Sequence, residues 1–225
     1  LNVGSAHIGE LGSRDAIAAA KSEIVAGAAP GATVVLNADD PLVSAMAAVA
    51  PGPVLMFGQS AAADVRATDI ELSTEGAATF RLHLPQQHPQ LVTLQVLGRH
   101  QVSNACATAA AAHAAGLTAD EIALGLMQAQ PRSRWRMERR MRADGLVVIN
   151  DAYNANPESM AAAVESLAAQ RRAGRTIAVL GEMRELGHWS QDAHTELGRL
   201  TRASGIDLVI AVGDRKSTRL NSSHS

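Results

Sequence analysis

Apolar positions along the chain follow two periods. Behind Ser13, whose side chain suits an N-cap, residues 14–26 repeat them at helical spacing. Ala32-Thr33-Val34-Val35-Leu36 is a compact apolar run and predicts a strand. Asn37-Ala38-Asp39-Asp40-Pro41 closes it, and Pro41 opens a helix over 42–50, with proline at a helix start. Val54-Leu55-Met56-Phe57-Gly58 predicts another strand. Residues 1–13 read as the end of a strand followed by a glycine-rich loop. Strands alternating with helices predict a parallel α/β sheet.

Between residues 64 and 97 the period changes to two. The runs 64–72, 78–84 and 91–97 alternate apolar and polar residues, and turn residues separate them, which predicts a small antiparallel meander with one wet face. His83 and His88 fall on its surface or turn and receive no role. A helix follows over 102–115, almost all alanine on its buried side, with Asn104 in its first turn. A second helix, 118–128, carries Asp120 and Glu121 at the favourable end of its dipole. Residues 145–214 then read βαβαβ, with strands 145–149, 176–181 and 207–212 and helices 157–170 and 190–203. That is half of a doubly wound sheet.

Two polar stretches sit at strand C-terminal ends, where open α/β sheets bind ligands. Asn150-Asp151-Ala152-Tyr153-Asn154-Ala155-Asn156-Pro157 leads into a helix N-terminus, which favours anions. A turn plus a helix cap explains the same residue types. Gly181-Glu182-Met183-Arg184-Glu185-Leu186-Gly187 is the second stretch. Residues 145–214 hold no dinucleotide-type glycine string, and no phosphate-loop GxxxxGK[ST] occurs in the chain.

Composition narrows the class. A chain of 225 residues holds one large domain or two modest ones. A net charge of −2 gives no general electrostatic case for nucleic acid or an acidic membrane. The single cysteine, Cys106, excludes an internal disulfide framework and a cysteine-rich zinc site. Aromatics make up only 2 %, so small residues must fill much of the core. No signal peptide and no uncharged apolar run of roughly 18 residues is found, so a cytoplasmic protein is expected. Six arginines fall between Arg132 and Arg142, which fits acidic or phosphate partners or a solvated linker, and marks a domain boundary. Residues 215–225 lack period and hydrophobicity and are expected to be non-native sequence. The expected organisation is therefore 1–131, 132–214 and a tail 215–225.

Taken together, Ala6-His7-x-x-x-x-Gly12-Ser13, Ala20-Lys21-Ser22-Glu23-Ile24, Leu36-Asn37-Ala38-Asp39-Asp40, Gly98-Arg99-His100-x-x-x-Asn104, Arg136-Met137-Glu138, Asp151-Ala152-Tyr153-Asn154-Ala155-Asn156 and Gly181-Glu182-Met183-x-Glu185-Leu186-Gly187 resemble the bacterial Mur ligases. The last two strings resemble the branch that adds the terminal dipeptide. The resemblance implies an α/β fold: part of a central ATP-binding domain, with a parallel sheet, helices and a small meander, then a truncated Rossmann-like C-terminal domain. It implies ATP and Mg²⁺ as cofactors. The implied partners are UDP-N-acetylmuramoyl-tripeptide and D-Ala-D-Ala, joined through an acyl phosphate, with no nucleic acid, no membrane insertion and a monomeric state.

By the same resemblance His7 would bind magnesium. Lys21 would be carbamylated and bridge metal, an oxygen anion being the ligand a hard cation takes. Asn104 would read adenine, Arg136 would reach ATP, Asp151 would hold its ribose, and His100 would belong to the nucleotide site. Tyr153, Asn154 and Asn156 would line the cleft around nucleotide and dipeptide. Arg132 and Arg134 compete with Arg136, which is favoured by its place fifteen residues before Asp151. Asn37 and Asp39 belong to a motif without an assigned role. The family's phosphate loop, its magnesium-binding glutamate and its uridine-binding domain would precede Leu1, so the chain alone is expected to be inactive. A sister ligase, a folylpolyglutamate synthase and a non-catalytic nucleotide-binding relative are the alternatives.

Overall fold

A computed structural model gives the fold and describes residues 1–5, 8–131, 133–171 and 174–213. Two compact units form. One comprises Leu1–Gly4 with Ser13–Arg132, the other Ser5–Gly12 with the chain from Ser133 onward.

The first unit is built on a five-stranded sheet in the order β1 (Val34–Asn37), β2 (Val54–Gly58), β3 (Val65–Leu72), β4 (Ala77–His83), β5 (Gln90–Leu97). The pairs β1–β2 and β2–β3 are parallel, and β3–β4 and β4–β5 antiparallel. The meander foreseen over 64–97 is thus continuous with the parallel strands. Parallel neighbours normally need a long crossover. Here β2 and β3 overlap only at Phe57↔Val65 and Gly58↔Arg66, so the short link 59–64 suffices.

One sheet face is covered by α4 (His100–Ala114) and α5 (Ala119–Gln128). Val102, Ala105, Cys106, Ala109 and Ala110 recur at helical spacing and are buried against Val65, Ala67, Phe80, Leu82 and Val92. The alanines let α4 come close to the strands. The chain's only two phenylalanines, Phe57 and Phe80, supply bulk in that core. Burial pushes the Cys106 thiol up to about 12, with the Asp39 charge adding to the effect. Over β3–β5 the other face is wet. Thr79 and Thr93 share a 2.9 Å hydrogen bond, and Arg81 pairs with Asp69 at 3.3 Å. His83 bonds Thr68 at 2.8 Å, and burial, with Arg66 and Arg81 nearby, lowers its pKa.

Helix α2 (Arg14–Ala26) starts at Ser13, whose hydroxyl accepts from the Ala16 N–H at 3.1 Å. Thr118 and Glu121 form the capping box of α5. Two expectations are corrected. Residues 1–4 form no strand, because side chains take their backbone groups. Val3 donates to Asp40 Oδ2, while Arg14, Asn37 and Lys21 donate to the carbonyls of Val3, Leu1 and Asn2. The helix expected over 42–50 is a short α3 (Pro41–Ser44) followed by a 3₁₀ turn (Ala45–Val49). Ala50, ahead of Pro51, is extended, as a residue before proline prefers.

In the second unit a hairpin of β6 (Glu138–Met141) and β7 (Val147–Asn150) is antiparallel, and β8 (Ile177–Leu180) pairs in parallel with β9 (Leu208–Ala211). Helix α6 (Pro157–Ala169) packs on α7 (Ser190–Ala203), which links β8 to β9 as a βαβ unit. The strand expected over 145–149 is β7, but its partner is β6 rather than β8. Residues 138–141 of the basic run are therefore strand rather than linker. Asp207 clasps the starts of β8 and β9: its Oδ2 accepts from the Thr176 N–H and hydroxyl at 2.7 and 2.8 Å, and Arg171 pairs with its Oδ1 at 3.1 Å. Those hydrogen bonds, with Thr176 first, hold the Asp207 carboxyl below its usual range. Helix α1 (Ile8–Leu11) also belongs to this unit.

Candidate functional site

In the first unit Lys21 lies on the exposed side of α2, and its Nζ donates to the Asn2 carbonyl at 3.0 Å. The Asn37–Asp40 motif turns out to be structural. Buried Asn37 holds the Asp39 N–H through Oδ1 at 2.9 Å. The Asp39 carboxylate accepts from the Gln59 and Ser60 N–H groups at 2.7 and 2.9 Å, fixing the link between β2 and β3. Asp40 caps α3 by accepting from Leu42 and Val43.

His100 and Asn104 lie four residues apart on α4, hence on one face, and both are exposed. The helix starts at His100, so Asn104 falls in the second turn rather than the first. Gln101 links them: its amide bonds His100 Nε2 at 3.1 Å and accepts from Asn104 Nδ2 at 3.0 Å. Gly98, at φ 104°, leaves the space that the imidazole needs, since a Cβ there would lie 2.6 Å from His100 Cε1.

In the second unit the stretch after β7 folds back on the chain before β6. Asp151 Oδ1 accepts from the Met137 N–H at 3.0 Å, and Oδ2 takes no hydrogen bond among the described residues. The Tyr153 N–H donates to the Trp135 carbonyl at 3.1 Å. The Arg136 guanidinium carbon lies 4.2 Å from the Tyr153 ring centroid. Trp135 and Met137, on either side of Arg136, have φ of 62° and 48°. Glu138 accepts from Arg140, which with the Trp135 N–H keeps its carboxyl below the usual range.

The amides have local duties. Asn150 Oδ1 accepts from the Ala152 N–H, Asn154 Oδ1 from the Ala155 N–H, and Asn156 Oδ1 from the Ser159 N–H as the N-cap of α6. The structure thus brings Arg136, Asp151 and Tyr153 into one cluster. Nothing in the sequence pattern announced that stacking or the left-handed residues beside it. His7 and Arg132 lie outside the described residues, and Arg134 is exposed.

The Gly181–Gly187 loop is anchored from α7. His194 Nδ1–H donates to the Ser190 carbonyl at 2.6 Å, and Nε2 accepts from the Met183 N–H at 3.1 Å. Gly9 donates to the Glu185 carbonyl at 3.0 Å, and a Cβ at Gly9 would come within 2.6 Å of that oxygen. A groove of about 540 Å³ opens nearby, lined by Ile8, Leu186, Trp189, Leu197 and Leu200 among others. None of the site candidates among the described residues lines it.

Among the described residues no group of three or more His, Cys, Asp or Glu side chains could hold a metal ion. Lys21 meets a carbonyl oxygen, and the described donors do not assemble such a site.

Comparison with known proteins gives a consistent result. The Mur ligase middle domain model matches residues 1–112, and the Mur ligase glutamate ligase domain model matches residues 135–223. The chain is 41% identical over 221 residues to the UDP-N-acetylmuramoyl-tripeptide–D-alanyl-D-alanine ligase of Mycobacterium tuberculosis, covering 96% of this chain and 43% of that protein. It is similar to a crystal structure of MurF from Acinetobacter baumannii, with TM-score 0.87, 38% identity and coverage of 95% of this chain and 46% of the other. MurF ligase from Thermotoga maritima in complex with ADP matches with TM-score 0.82 and 28% identity, covering 96% of this chain and 48% of the other. The chain spans about half the length of the relatives it matches.

Proposed function

The chain belongs to the Mur ligase family, and from that premise we propose that it acts as part of an ATP-dependent amide-bond ligase joining D-Ala-D-Ala to UDP-N-acetylmuramoyl-tripeptide. The observation that carries this reading is the 41% identity to a ligase of that name, kept over 96% of the chain. In such a reaction ATP activates the peptide carboxylate as an acyl phosphate, and the dipeptide amine displaces phosphate. Such a ligase works in the cytoplasm. Among the described residues no helix is long and apolar enough to cross a membrane.

Each unit contributes its own groups. Asp151 is oriented by the Met137 N–H on Oδ1, which leaves Oδ2 to accept from a ribose hydroxyl. Arg136 offers a guanidinium to the charge that develops on a transferring phosphoryl group. Asn104, with His100 and Gln101 beside it, offers amide donors and acceptors to a base edge. Asn154, exposed one residue after Tyr153, is available to the dipeptide. Asn156 offers Nδ2 alone, because its oxygen caps α6. A carbamate on Lys21 would keep one Nζ–H, so the hydrogen bond to the Asn2 carbonyl is compatible with it.

A substrate panel tests the reading. The full-length protein carrying this sequence should consume D-Ala-D-Ala with the UDP-linked tripeptide. It should leave single amino acids and glutamylated folates untouched. Preference for a single amino acid would assign it to a sister ligase instead.

A further inference from the structure

The geometry points to Tyr153 as a positioning residue that holds the Arg136 guanidinium ready for a nucleotide phosphate. This deepens the ligase reading and rests on it. The first observation is the stack itself, with Arg136 Cζ 4.2 Å from the Tyr153 ring centroid. An exposed arginine ordinarily samples many rotamers, and ordering it on binding costs affinity. Resting a guanidinium face on an aromatic ring restricts those rotamers and keeps the edge of the fork open for two parallel hydrogen bonds to phosphate.

The second observation is that both partners are fixed at the backbone. The Tyr153 N–H donates to the Trp135 carbonyl at 3.1 Å, and the Met137 N–H donates to Asp151 Oδ1 at 3.0 Å. The residues flanking Arg136 are thus tied to the residues flanking Ala152, which keeps the two stretches of backbone side by side.

The third observation is strain. Trp135 and Met137 adopt φ of 62° and 48°, a region that bulky residues avoid. Burial offsets this for Met137, which is 7% exposed, but not for Trp135, at 53%. Strained backbone persists where surrounding contacts over-determine it, and it clusters at ligand sites. Here the two left-handed residues flank Arg136, the residue whose guanidinium lies over Tyr153.

Two measurements test this. In the 225-residue chain, NMR should show ring-current shifts on the Arg136 δ protons. They should survive Tyr153→Phe and vanish in Tyr153→Leu. In the full-length ligase, Tyr153→Leu should raise the KM for ATP about fivefold to tenfold and leave the KM for D-Ala-D-Ala within about twofold. Tyr153→Phe keeps the ring and should raise the KM for ATP less than Tyr153→Leu does. Added to Arg136→Ala, Tyr153→Leu should cause no further loss, because it acts through that arginine. Missing ring-current shifts, damage by Tyr153→Phe equal to that by Tyr153→Leu, a rise confined to the dipeptide KM, or multiplying losses in the double variant would each overturn the assignment. Lack of ATP-dependent ligation by the unmodified full-length protein would overturn the ligase reading and this inference with it. That outcome is told apart because the wild type itself is then inactive.

Discussion

The Met137 backbone N–H donates to Asp151 Oδ1 at 3.0 Å, so the carboxylate that would hold a ribose also closes the turn carrying Arg136. If Asp151 holds the ribose, structure and binding are coupled there, and two substitutions separate them. Asp151→Asn keeps an oxygen for Met137 and should change stability by less than about 0.5 kcal/mol, while raising the KM for ATP in the full-length ligase. Asp151→Ala leaves the Met137 N–H without its partner and should cost about 1–2 kcal/mol. Denaturant unfolding of the two variants beside wild type checks the contrast.

Asn156 is the N-cap of α6, with Ser159 closing the box. Asn156→Ala should lower stability by about 1 kcal/mol, and Asn156→Asp should restore most of it, since both acids and amides cap well. If Asn156 also meets the dipeptide, Asn156→Asp will keep the melting temperature yet raise the KM for D-Ala-D-Ala. An unchanged KM in that folded variant would restrict Asn156 to the cap.

Acid should loosen the second unit through Asp207. Its folded pKa lies below the ordinary carboxylate value because Thr176 and Arg171 favour the anion. A depressed folded pKa means that the stabilisation is complete above the unfolded value, about 4. It is lost as pH falls through the lower, folded value. Asp207→Asn should therefore be less stable than wild type at neutral pH, and the gap should narrow below about pH 4. Thermal melts across that range would show it; a gap that widens in acid contradicts the assignment.

Much of this fold is legible in the sequence, and the parts that are not share a cause. Ser13 and the Thr118–Glu121 pair announce their helices because capping is local, between residues three positions apart. The strand Val54–Gly58 is equally plain from its unbroken apolar run. Residues 138–141 are not legible, since Glu-Arg-Arg-Met carries no alternation and becomes a strand only by pairing with Val147–Asn150. Residues 1–4 read as strand because Val3 is apolar and buried, yet their backbone bonds go to Asp40, Arg14, Asn37 and Lys21. The candidate site follows the same rule. The caps and turns of Asn150 and Asn156 are visible in sequence, whereas the platform beneath Arg136 depends on two left-handed residues that no local pattern predicts.

This chain is proposed to serve a ligase that activates the tripeptide carboxylate as an acyl phosphate. The direct measurement uses the full-length protein carrying this sequence and UDP-linked tripeptide labelled with ¹⁸O in its terminal carboxylate. In acyl phosphate formation a carboxylate oxygen attacks the terminal phosphorus and ADP departs. The dipeptide amine then attacks the carbonyl carbon and phosphate leaves with the bridging oxygen. One labelled oxygen should therefore appear in inorganic phosphate for each amide bond formed with D-Ala-D-Ala. Amide formation with unlabelled phosphate, or with AMP and pyrophosphate as products, would contradict the account.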